Sequence, residues 1–217
     1  MKTISLITSA FLLITSQACE SSTSPELSGE PSLNLTSLPA IGELVVSDSS
    51  SLIFMREEEK LARDVYQFFF EKYGLSVFDN ISNSEQRHMD AIKVLLDRYQ
   101  LTDPVTDNSP GVFKDTLLAS LYNSLTQKGS ESAVEAAKVG MLIEEIDIRD
   151  LEERFSATVS EDVLWVVGNL TRGSRNHLRG FNGYLVSQSV VYTPAILAQE
   201  VYNAIVSSPV ERGGRNR

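Results

Sequence analysis

The stretch Ile81-Ser-Asn-Ser84-Glu85-Gln-Arg-His88-Met-Asp-Ala-Ile92-Lys-Val-Leu95-Leu-Asp-Arg-Tyr99 decides the fold. Ile81, Glu85, His88, Ile92, Leu95 and Tyr99 recur at steps of three and four, so they share one face of a helix. That face is apolar at both ends and polar in its middle. Glu85 and His88 stand one turn apart, with about 5–6 Å between their Cβ atoms. Alone, the pair reads as a solvated couple at the edge of a core. It gains meaning from what the other helices place at the same height.

Three further stripes have the same form. Ala137, Met141, Glu144, Ile148, Leu151 and Phe155 make one; Val163, Val167, Leu170, Ser174, His177, Phe181 and Tyr184 make another. A third runs through Met55, Glu59, Ala62, Tyr66, Phe69 and Tyr73. An equally regular line passes through Phe54, Glu58, Leu61, Val65 and Phe68, so periodicity does not choose between Glu58 and Glu59. The plain alternative for Glu57, Glu58 and Glu59 is a solvated first helical turn that suits the helix dipole. Unpaired buried carboxylates cost several kcal/mol each, so several on one bundle seam require a shared cation or protonation. The Glu-x-x-His spacing at 85–88 is that of the metal-binding element of di-iron and di-manganese carboxylate bundles. Carboxylate-dominated donors with a few imidazoles favour iron or manganese.

Outward from these stripes the whole chain reads as helical. Helices are expected over about 52–70 with Gly74 as C-cap, from Ser82 or Ser84 to about 100, over 114–128, 132–155 and 161–186. A last short helix is expected from Thr193-Pro194 to about 206. No hairpin chemistry is present. The class is all-α, and four long helices make a bundle. The chain has 217 residues, 42% of them hydrophobic and 22% charged, an ordinary globular balance. A net charge of −10 and a pI of about 4.7 argue against nucleic-acid binding. A single cysteine, Cys19, excludes an internal disulfide and thiolate zinc sites.

Residues 1–18 read as a signal peptide: Lys2, an apolar run over 4–14, then Ser16-Gln17-Ala18 before Cys19. The segment resembles a bacterial lipoprotein signal, which implies lipidation at Cys19. Ser16-x-Ala18 also suits ordinary cleavage. Export to the bacterial cell envelope (periplasmic or lipid-anchored) or secretion is expected, with contact to membrane only through the lipid. Residues 19–48 have tether composition, and 49–213 form the helical domain.

Three segments carry a family resemblance: Arg56-Glu-Glu-Glu-Lys-Leu-Ala-Arg-Asp-Val-Tyr66, Gly140-x-x-Ile-Glu-Glu-Ile-Asp-Ile-Arg-Asp-Leu151 and Gly173-Ser-Arg-Asn-His-Leu-Arg-Gly-Phe181. Tyr192-Thr-Pro194 and Ser208-Pro-x-Glu-Arg-Gly213 extend it. They resemble the ferritin-like proteins of domain of unknown function 2202, related to rubrerythrins and bacterioferritins. The resemblance implies a ferritin-like four-helix bundle, with an extra short helix between bundle helices two and three and a short C-terminal helix. It also implies the ligands Glu59, Glu85, His88, Glu144 and His177, because Tyr66 stands seven residues after Glu59 as the superfamily pattern has it. Glu58 is the less favoured alternative. The pattern's fourth-helix carboxylate falls at Ser174, and Asp147, one turn past Glu144, is the residue placed to compensate. The implied activity is oxidation of metal, or removal of peroxide, by a di-iron type oxidoreductase. Its site would be dinuclear or mononuclear iron or manganese, with dioxygen or peroxide as partner. The alternative is a non-catalytic, envelope-tethered helical module for partner binding or metal sequestration. The sequence does not specify the oligomeric state, and a dimer is compatible with it.

Overall fold

The first helix begins where an internal carboxylate secures its opening turn. In the computed structural model, which describes residues 35–212, helix α1 spans Val46–Tyr73. The Asp48 carboxylate accepts from the Val45 N–H at 3.0 Å and from the Thr158 hydroxyl at 2.5 Å. Gly74 ends the helix at φ 65°, a conformation that costs glycine little. Helix α2 (Ser76–Arg98) turns directly back. There follow α3 (Thr116–Gly129), α4 (Ala133–Arg154), α5 (Glu161–Ser187) and α6 (Gln199–Ser207), with a single 3-10 turn at Leu35–Ser37. Among the described residues there is no strand, so the class is all-α.

α1 packs against α2 and α4, and α5 packs against α4 and α2. Short links within each sequential pair make α1/α2 and α4/α5 antiparallel hairpins, and together they form a four-helix bundle. α3 lies across α1 and α4, and α6 lies on α5. The extra short helix and the C-terminal helix therefore fall in the expected order.

Several boundaries differ from expectation. α2 starts at Ser76 rather than at Ser82 or Ser84. The Ser82 hydroxyl bonds back to the Asp79 carbonyl at 2.9 Å within the helix, and Ser84 is buried. Thr193-Pro194 opens no helix, because the backbone N–H groups of Ala195, Ile196 and Leu197 point to the Glu145 carboxylate instead. Residues 35–45, assigned to the tether by composition, lie against the body. Leu35, Leu38 and Leu44 pack on the core, and Arg98 donates to the Pro39 carbonyl at 2.8 Å. Residues 1–18 and Cys19 lie outside the described residues. No described helix is long and apolar enough to cross a membrane.

The apolar core is divided in two. One half holds Tyr66, Phe69, Phe78, Ile81, Met141, Leu178 and Phe181. The other holds Leu52, Met55, Ile92, Leu95, Leu151, Val163 and Leu170. Each large side chain contributes about 1.5–3 kcal/mol by leaving water. Gly140 lets the first half close: a Cβ there would lie 2.7 Å from the Phe181 ring, whose centroid sits 5.1 Å from that of Tyr66. Between the halves, at the middle of all four helices, lies a polar layer.

Candidate metal centre

Helix α1 starts at Val46, so residues 57–59 fall in its middle turns and not in a solvated first turn. All three are buried, yet they do different things. The Glu57 carboxylate accepts from the Lys114 and Asp115 N–H groups at 2.5 and 3.0 Å. Glu59 turns into the bundle, and Glu58 points elsewhere within it. The structure thus separates acids that periodicity left equivalent.

Glu59, Glu85, His88, Glu144 and His177 come together in the polar layer, each no more than 2% exposed. Glu85 lies at the middle. Its Oε2 is 2.7 Å from His88 Nδ1 and its Oε1 is 2.8 Å from His177 Nδ1. Glu59 Oε2 reaches His88 Nδ1 at 3.1 Å, and Glu144 Oε2 lies 3.4 Å from His177 Nδ1. The two imidazoles stack with centroids 5.4 Å apart. The donors sort into two sets of three, Glu59/Glu85/His88 and Glu85/Glu144/His177. In each set, one ligand atom per residue lies within 4.8 Å of the others, and each set could hold a metal ion. Glu85 belongs to both.

Electrostatics make the layer costly without a cation. Burial pushes Glu59 up to about 7, partly offset by His88. Burial likewise pushes Glu144 up to about 7 against the pull of His177. Burial would also raise Glu85, but His177 and His88 overwhelm it and hold this carboxyl well below the ordinary range. For His88, burial acts downward and is outweighed by Glu59 and Glu85, which lift it to about 10. His177 is raised well above its usual value by Glu85 and Glu144, again against burial. Even so, Glu59 Oε1, both Glu85 oxygens and both His177 nitrogens make no directed hydrogen bond. Converging, buried and unsatisfied oxygen and imidazole donors fit a hard or borderline divalent cation.

Around this set the structure adds supports. The Tyr66 hydroxyl donates to Glu144 Oε1 at 2.6 Å, which orients that carboxylate as a supporting residue of a metal site does. Ser174 does not join either triad; its hydroxyl donates to Asp147 Oδ2. Asp147 and Glu58 are both buried beside the triads and outside them.

Other charged residues of the motif segments serve as anchors that spacing did not reveal. Asp64 binds Lys60 at 2.5 Å, Arg63 at 2.7 Å and the Gly111 N–H at 3.0 Å, pinning the loop between α2 and α3. Glu145, fully buried, accepts from the Tyr192 hydroxyl and three N–H groups of residues 195–197. Arg175 and Arg179 hold Glu211 and so fasten the C-terminal segment to α5. Their sequence signal was only a surplus of arginines on one helix.

The fold and site define a class: a helical bundle with a buried carboxylate–histidine cluster supplied by all four bundle helices. Residues 48–209 match the family described as "Uncharacterized protein domain (DUF2202)", and the chain belongs to that family. The curated protein named "Uncharacterized protein MJ0754", from Methanocaldococcus jannaschii, is 48% identical over 166 residues, which is 76% of this chain and 90% of its own length. The crystal structure of hypothetical protein MJ0754 from the same archaeon superposes with a TM-score of 0.78 at 46% identity. That match covers 81% of this chain and 99% of the archaeal one.

Proposed function

We propose that this protein is a ferritin-like metalloprotein that binds two divalent cations, iron or manganese, and supports redox chemistry with dioxygen or peroxide. The observation that carries the reading is Glu85, whose two oxygens face two different donor triads. Glu59 and His88 would complete one site, and Glu144 and His177 the other. Bound iron or manganese would supply one-electron exchange with an oxygen-derived acceptor. The chain's own part is to orient and to exclude water. Tyr66 fixes Glu144 through Oε1 and leaves Oε2 facing His177. Tyr66, Phe78 and Phe181 close one side of the layer with packed rings. Ser174, small and engaged with Asp147, leaves the α5 side without a fourth carboxylate.

The test is metal content of the metal-depleted protein after anaerobic loading with Fe(II) or Mn(II). Two cations per chain are expected, falling to one in His88→Ala. No bound cation in the wild type, or full content in His88→Ala, would refute the reading. The serine at 174 favours a second reading, sequestration without turnover. Stoichiometric metal with no consumption of dioxygen or peroxide would select it. We also propose export, supported by the leader composition and Cys19, and a Cys19→Ala variant that keeps its membrane association would exclude lipid anchoring.

A further inference from the structure

Two buried carboxylates beside the centre belong to neither triad. Glu58 on α1 is 6% exposed and Asp147 on α4 is 5% exposed. Glu58 Oε2 and Asp147 Oδ1 are fully enclosed and unpartnered. Ser174 holds only the other oxygen of Asp147. Burial, then the Asp150 and Glu59 charges, raises the Glu58 carboxyl well above its ordinary range, and burial, then the Glu59 and Glu58 charges, does the same to Asp147. A buried carboxylate without a partner is expensive, so two beside the centre are held either by protons or by a cation that takes their place.

Their placement gives that cation a direction. Glu144, Asp147 and Asp150 are three residues apart on α4, so each neighbouring pair is adjacent, and the series climbs about 4.5 Å per step while winding round the helix. Asp150 is outermost, paired with Arg149 at 2.5 Å and Arg154 at 3.3 Å, whose side chains are 38% and 35% exposed. The Arg154 guanidinium rests 3.7 Å over the Phe54 ring, one turn before Glu58 on α1. Carboxylates thus lead inward from an arginine-capped surface, while packed aromatic rings block the opposite side.

We infer that Glu58 and Asp147 form a separate cation station, through which a hard divalent cation passes between Asp150, buried beneath the partly exposed Arg149 and Arg154, and the Glu85-centred triads. The inference rests on the metal-binding reading. Its test mixes Co(II) with the metal-free full chain and follows the visible absorption of the bound ion, with end-point stoichiometry by elemental analysis. In Glu58→Gln and Asp147→Asn, loading is expected to slow at least tenfold while two cations per chain are retained. Thermal melts of the metal-free variants should match the wild type, because each amide keeps the shape of the acid it replaces. Asp150→Asn, which alters the arginine-capped end and leaves Glu58 and Asp147 in place, should also slow loading. Unchanged rates in all three variants overturn the station. A fall to one cation per chain at the wild-type rate in Asp147→Asn also overturns it, and makes Asp147 a ligand of the centre. Failure of the wild type to bind any cation is a different result, visible before any variant is made, and overturns the metal reading along with the station.

Discussion

Replacing Glu85 by glutamine should destabilise the metal-free protein far more than replacing Glu59 by glutamine. In the metal-free core Glu85 is the shared counterion of two buried imidazoles, at 2.7 Å from His88 and 2.8 Å from His177. A glutamine keeps the shape but has one acceptor oxygen, so one histidine then faces an amide NH₂. Breaking a buried ion pair on one side costs about 3–5 kcal/mol. His88 retains Glu59 at 3.1 Å, whereas His177 retains only Glu144 at 3.4 Å, so the expected loss is about 3 kcal/mol. In a domain of this size that lowers Tm by roughly 10 °C. Glu59 is different. Burial lifts its carboxyl to about 7, so its charge is held only weakly at neutral pH and Glu59→Gln removes less. A loss of about 1 kcal/mol or less is expected. The assay is urea unfolding of chelator-treated protein at pH 7, with both variants read against the wild type. Equal losses in the two variants, or a larger loss for Glu59→Gln, would show that Glu85 is not the central counterion.

Glu145→Gln should cost about 2–4 kcal/mol, because one of its oxygens becomes an NH₂ group facing donors: either Ile196 and Leu197 at 2.8 Å, or Tyr192 and Ala195 at 2.7 and 3.2 Å. A urea midpoint equivalent to less than 0.5 kcal/mol of change would contradict that role. The C-terminal clamp should be sensitive to acid. Hydrogen bonds from Arg175, followed by Arg179, hold Glu211 at about 2 against an ordinary 4.5. The depressed value means that the clamp stabilises fully above about pH 4.5 and is lost as pH falls towards 2, by about 1 kcal/mol after solvent screening. The stability difference between wild type and Glu211→Gln, measured from pH 6 to pH 3, should shrink; a constant difference would dissociate Glu211 from the effect.

Much of this architecture was legible because helical periodicity records burial. The stripes through Glu85/His88, Glu144 and His177 needed only spacing, and those residues meet in the bundle. Helix one was ambiguous for a physical reason: Glu57, Glu58 and Glu59 are all buried, so no solvent face distinguishes them. Their partners lie far along the chain, at Lys114 and Asp115 for Glu57 and at His88 for Glu59. The last helix was misplaced by local chemistry. Thr193-Pro194 has good cap residues, but Glu145 on α4 competes for the same N–H groups and wins with a full charge. The start of α2 was missed because the cap position is Leu75, which offers no side-chain acceptor.

The case for a cation lies in the contrast between two kinds of buried charge in one molecule. Away from the polar layer, buried acids are met by partners: Glu57 by two N–H groups, Asp64 by Lys60, Arg63 and Gly111, and Glu145 by four donors. Within the layer the same chain leaves oxygens of Glu58, Glu59, Glu85 and Asp147 and nitrogens of His177 without directed partners. A fold able to give its structural acids directed donors leaves these atoms with imidazoles alone or with nothing, which is what a cation site requires. Formal charge also shows what Ser174 changes. Glu59, Glu85 and Glu144 carry about −3 between them when ionised, against about +4 from two divalent cations. A carboxylate at 174 would close that gap. Serine leaves it open, and its hydroxyl holds Asp147 on α4, outside both triads. The α5 serine and the α4 aspartate hold each other, so exchanging them as a pair, which returns a carboxylate to α5, tests that gap more directly than changing either alone.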